Sequence, residues 1–105
     1  MLAIIARYTF ADAGEATKFC NIAKGIVDAS RAEKGCTYYA FGRDIADDAV
    51  VWISEEWESQ EDLTAHLKAS HIAAFLTDIA EIKIVAEVSR QYEVSSVGPV
   101  VMPTE

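Results

Sequence analysis

The segment Glu55–Leu76, EEWESQEDLTAHLKASHIAAFL, concentrates the side chains able to do chemistry: His66, His71, Trp57 and a run of acids. An imidazole changes charge near neutral pH, so His66 can move a proton or simply hydrogen-bond within a core. It follows Leu63 by three residues and immediately precedes Leu67, at the border of an inward helical stripe. The acids have a plainer role. Glu58, Glu61 and Asp62 crowd a helix start, where the macrodipole favours negative charge. Ser59 followed by Asp62 has the spacing of a capping pair, and Trp57 is placed to pack beneath the new helix.

Spacing argues against a metal. A zinc-binding pair on one helix face needs i, i+4 histidines. His66 and His71 are i, i+5, about 140° apart on a regular helix. No cysteine adjoins either, so no metal ligands are expected. There is no G-x-G-x-x-G, Walker loop or G-x-S-x-G, which removes the nucleotide and acyl-transfer signatures. The remaining chemistry is aromatic: Tyr8, Phe10, Tyr38, Tyr39, Phe41, Trp52, Trp57 and Phe75 suit a hydrophobic pocket for a flat ligand, with His66 as its polar group.

These residues need elements to hold them. Leu2 to Phe10 alternates as a strand, with Ile4, Ala6, Tyr8 and Phe10 on one face. After the break at Asp12–Gly14, Phe19, Ile22, Ala23, Ile26 and Ser30 recur at helical spacing, and Gly35 stands where a C-terminal left-handed residue would. CTYYAFGRD and VVWISEEW read as a hairpin closed by the polar IADDA turn. A second helix begins at Ser59 on the stripe Leu63, Leu67, Ile72, Phe75, Leu76 and Ile79, with an irregularity expected near Ser70. IKIVAEVSRQYEV supplies the last strand.

The order β-α-β-β-α-β predicts an α+β, ferredoxin-like fold with an antiparallel sheet. Residues 1–95 form the expected domain and 96–105 a Gly/Pro-punctuated tail. Two helices cover only one sheet face, yet the third strand is apolar on both, with Val50 and Trp52 on one side and Val51 and Ile53 on the other. An uncovered apolar face predicts a homodimer through it. Val97 to Met102 is apolar enough to pack on a partner subunit.

The 105 residues suffice for one domain. A net charge of −8, from 17 acids against 9 bases, repels phosphate backbones and anionic lipid. Nucleic acid and membrane are therefore poor partners. Cys20 and Cys36 read as reduced, small hydrophobes. The start MLAIIARYTF lacks a basic leader and is interrupted by Arg7, and no stretch approaches a membrane-spanning length. A cytoplasmic location is expected.

Gly35-Cys36, Tyr39, Arg43 with Asp44, and SEEWESQEDLTAHLKASHIAAF together resemble the antibiotic biosynthesis monooxygenase family over residues 2 to 94. The resemblance implies a dimeric α+β barrel of two ferredoxin-like units joined through their sheets. It also implies oxidation of a quinol or polyphenolic aromatic with molecular oxygen, without flavin, haem or metal. Trp57, His66, His71 and Tyr39 match the family's motif. On that basis His66 is the expected base, with Trp57, Tyr39, His71 and Phe75 around the substrate. A haem-degrading branch carries an asparagine on its first strand and a late histidine in its second helix; this chain has neither. A non-catalytic binding dimer or a lactone isomerase on the same barrel are the alternatives.

Overall fold

The computed structural model describes residues 1–104, so Glu105, the last residue of the expected tail, lies outside the described residues. Its elements run β1 (Leu2–Phe10), α1 (Ala13–Arg31), β2 (Cys36–Arg43), β3 (Val50–Trp57), α2 (Gln60–Leu67), α3 (Ser70–Asp78) and β4 (Ile84–Glu93). The strands pair in the order β2-β3-β1-β4, every pair antiparallel. This is the expected ferredoxin-like α+β arrangement, with one helical segment divided in two.

Alternation along the strands assigns the faces. The register sets Leu2, Ile4, Ala6 and Tyr8 of β1 opposite Trp57, Glu55, Ile53 and Val51 of β3. Because cross-strand partners share a face, these side chains form one surface with Tyr39 and Phe41 of β2, which pair with Glu55 and Ile53. Helix α1 packs on that surface through Ala16, Phe19, Ala23 and Ile26. Phe19 is fully buried, with its ring centroid 4.9 Å from Phe10, 5.5 Å from Tyr8, 6.0 Å from Phe41 and 5.6 Å from Phe75. Burying one such side chain contributes roughly 1.5–3 kcal/mol.

Local chemistry fixes the element ends. Asp12 caps α1 by accepting the Glu15 N–H at 2.9 Å. At the other end the Arg31 Nε–H donates to the Tyr39 carbonyl at 2.9 Å, tying α1 to β2. Gly35 is left-handed, with φ 80°, but it does not cap α1; the helix closes at Ala32 and Gly35 turns the chain into β2. Its missing side chain has a second reason. A Cβ there would lie 2.4 Å from Cγ of Asp62, so the first turn of α2 rests directly on this glycine.

Ser59 caps α2, accepting from the Asp62 N–H at 3.1 Å and donating to its carboxylate at 3.0 Å. The expected single second helix is corrected to two. Helix α2 ends at Leu67 with Lys68 as its C-cap, Ala69 is extended at φ −64° and ψ 146°, and α3 starts at Ser70. The break lets both halves bury inward residues, Leu63 and His66 from α2 and Ile72 and Phe75 from α3. From α3, Phe75 reaches Phe19 of α1.

Among the described residues no helix covers the other sheet face. Ile5, Trp52, Val88 and Tyr92 are exposed there, around a 240 Å³ depression also lined by Arg7 and Arg90. After β4 the chain has no regular secondary structure as far as Thr104, and Val97, Val100, Val101 and Met102 are exposed.

Candidate active site

Glu55 and Trp57 alternate onto the helix-covered face of β3, and the indole Nε1–H donates to Oε1 of Glu55 at 2.9 Å. Tyr39, on the neighbouring strand, meets the Trp57 ring edge-on at 6.4 Å between centroids. Into this aromatic corner α2 delivers His66, its ring 4.6 Å from Trp57 and 5.3 Å from Tyr39. The imidazole is 3% exposed, and both its nitrogens face acids. Nδ1 lies 2.5 Å from Oε2 of Glu33, in the turn after α1, and Nε2 lies 3.9 Å from Oε1 of Glu55.

The helix break brings in His71. On one regular helix it would point away from His66; instead the two rings stand 6.1 Å apart. His71 Nε2 is 3.6 Å from the same Glu33 oxygen and 3.4 Å from Oγ of the buried Ser30. Glu33 thus bridges the two histidines. A carboxylate only accepts, so the His66 Nδ1–H donates to it and the lone pair is left on Nε2.

Burial governs the surrounding acidities. It pushes the Glu55 carboxyl above the usual range, with the negative charge of Glu33 adding to the rise, while the Trp57 N–H and His66 oppose it. Burial also raises the Tyr39 phenol far above its ordinary value, with Glu55 reinforcing it, so this hydroxyl stays protonated in neutral solution.

Of the residues singled out from sequence, Tyr39, Trp57 and His66 share one corner, and His71 joins them through Glu33. Phe75 belongs to the Phe19 cluster, and no ring pairing links it to His66. Tyr39 lines a 260 Å³ cavity with Arg31, Cys36, Thr37, Tyr38 and Ala40. His71 and Phe75 line a 160 Å³ cavity with Ile22, Gly25, Ile26, Ala74 and Asp78. His66 and Trp57 line neither of these cavities.

Sequence reasoning missed Glu33 and the role of Glu55. Glu55 had a usable signal, since it stands two residues before Trp57 on a strand and must share its face. Glu33 had none, because a turn carries no periodicity.

A buried His–carboxylate pair within an aromatic corner of a ferredoxin-like α+β sheet defines the class. The chain belongs to the antibiotic biosynthesis monooxygenase family, whose sequence profile matches residues 1–78. The match takes in β1 through α3 and so the whole candidate site. A Deinococcus radiodurans protein provisionally named an antibiotic biosynthesis monooxygenase superposes with a TM-score of 0.85 at 19% identity, over 97% of this chain and 100% of its own. The protein PA3566 of Pseudomonas aeruginosa is similar with a TM-score of 0.79 and 26% identity, over 90% of this chain and 94% of its own. Rv0793 of Mycobacterium tuberculosis gives 0.81 at 16% identity, over 93% and 98%. At the lower identities the likeness is one of fold. No curated protein matches the chain.

Proposed function

We propose that the protein is a cofactor-independent monooxygenase that oxidises a quinol or polyphenolic aromatic with molecular oxygen. One observation carries the reading: an acid–base side chain, His66, is buried against Tyr39 and Trp57 and held by Glu33 at 2.5 Å. A quinolate is electron-rich enough to reduce oxygen itself. One oxygen atom enters the ring, the other leaves as water, and a quinol becomes a hydroxylated quinone. The protein supplies a base, a dry pocket and a fixed orientation.

In this reading His66 takes up the proton, and Glu33 and Glu55 stabilise the imidazolium. His71 is the more exposed member of the set and shares the Glu33 carboxylate with His66. Tyr39, Trp57, His71 and Phe75 shape the walls. The open sheet face is the proposed homodimer interface, supported by its exposed Ile5, Trp52, Val88 and Tyr92. Among the described residues no helix is long and apolar enough to cross a membrane. Cys20 and Cys36 are both free thiols, which supports a cytoplasmic setting.

A second reading, a non-catalytic binding dimer or a lactone isomerase, is favoured by the absence of His66 from the lining of either neighbouring cavity. Oxygen uptake with a panel of hydroquinones and naphthohydroquinones separates the readings. Saturable uptake that falls about 10²–10⁴-fold in His66→Ala is the expected result. Uptake no faster than autoxidation across the panel transfers the weight to binding or isomerisation.

A further inference from the structure

We propose that the hollow on the open sheet face is a binding site for a small aromatic carboxylate, held by Arg7 and Arg90. The hollow measures 240 Å³ and is lined by Ile5, Arg7, Trp52, Val88, Arg90 and Tyr92. Strand register explains its shape. Ile5 stands opposite Ser54 on β3 and Arg90 on β4, and Tyr92 stands opposite Ala3. The small Ser54 and Ala3 leave space among the larger side chains. Arg7 lies opposite Val88, so Arg7 and Arg90 are diagonal neighbours on one face. Diagonal pairs stand about 7–8 Å apart, within reach of one another for long side chains. Two guanidiniums at that spacing can donate to a single carboxylate.

Charge fixes the class of ligand. Although the chain carries 17 acids against 9 bases, neither Arg7 nor Arg90 has an ion-pair partner among the described residues. The acids on this side of the sheet are engaged elsewhere. Asp44 accepts the Trp52 Nε1–H at 2.8 Å and the N–H groups of Ala46 and Asp47 at 2.8 and 3.0 Å. Glu56 accepts the Thr37 hydroxyl at 3.4 Å. The other walls, Ile5, Trp52, Val88 and Tyr92, suit a flat apolar ring. Arg7 already lies over the Trp52 ring, its Cζ 5.8 Å from the centroid, which holds the guanidinium beside that wall. The same surface is the proposed dimer interface. A two-fold pairing there would collect both chains' arginines in one apolar space, and an anion carried in with them offsets charge that would otherwise be buried unpaired.

The inference is independent of the proposed oxidation, because His66 belongs to the helix-covered face and the readout is binding alone. Full-length protein is titrated with 2-naphthoate by calorimetry, with 2-naphthamide as the uncharged analogue. Saturable binding of the acid at one equivalent per chain is expected, with the amide at least tenfold weaker. Each of Arg7→Gln and Arg90→Gln should weaken the acid at least tenfold while circular dichroism confirms the fold. Wild-type affinity in either variant, or equal affinity for acid and amide, places the ligand elsewhere and overturns the site. Absence of saturable binding also overturns it, and leaves the two arginines to the acids of a second chain.

Discussion

The indole of Trp57 and the carboxylate of Glu55 are bound to one another along a single strand face, Nε1 to Oε1 at 2.9 Å. The same oxygen faces His66 at 3.9 Å, so a tryptophan on the sheet sets the position of an acid under the helix histidine. Glu55 resists ionisation because burial disfavours its charge.

That resistance has a signature in stability. The folded protein binds the Glu55 proton more tightly than the unfolded chain does, whose glutamate titrates near 4.5. The destabilisation is absent below that value and fully expressed once the pH exceeds the raised one. Glu55→Gln, which keeps an acceptor for Trp57, should therefore raise the melting temperature at pH 8. The gain should shrink towards zero in acid. A difference between variant and wild type that does not change with pH would contradict the burial effect.

Gly35 links the β2 turn to the start of α2. A side chain there meets two obstacles, the left-handed φ of 80° and the Asp62 side chain at under 3 Å. Backbone strain of this type costs about 1–3 kcal/mol. Gly35→Ala should lose at least about 2 kcal/mol by urea unfolding, with an unchanged m-value. In a double-mutant cycle, Asp62→Ala should recover part of that loss and not all of it, because the φ strain remains.

The fold was legible because its signals are periodic. Alternation in VVWISEEW and three- and four-residue steps from Phe19 to Ser30 each report a buried face, and the Ser59–Asp62 cap marks a helix start by direct chemistry. The site was legible only in part. His66 lay on a stripe, and Trp57 preceded a cap. The convergence of His71 depends on one extended residue, Ala69, with no glycine, proline or side-chain cap to announce it. Glu33 reaches the histidines only through tertiary packing of the α1–β2 turn, a relation that local sequence does not encode.

If two chains pair through the open sheet faces, a charge at the centre of that face should separate them. Ile5 is 46% exposed and lines the depression on the open face with Trp52, Val88 and Tyr92. Ile5→Lys should leave circular dichroism unchanged and convert a dimer to a monomer in light scattering. The dimer dissociation constant should rise at least about a hundredfold, roughly 2.8 kcal/mol at 1.4 kcal/mol per decade. An unaltered dimer would place the interface elsewhere.

On the helix side of the sheet, Tyr8 of β1 lies opposite Glu87 of β4. Burial, helped by the Glu87 carboxylate, pushes its phenol from 10.0 up to about 12. A phenol that ionises less readily in the folded state than in the unfolded chain makes the fold lose stability as pH rises from about 10 towards 12. Titration of phenolate absorbance should show Tyr8 and Tyr39 both ionising late, and Tyr8→Phe should remove the earlier of these two late steps and lessen the alkaline loss of stability. Glu87→Gln should bring the step down only part of the way, because burial is the larger cause. A full return to the ordinary value in Glu87→Gln would make the neighbouring charge, and not burial, the dominant effect at this position.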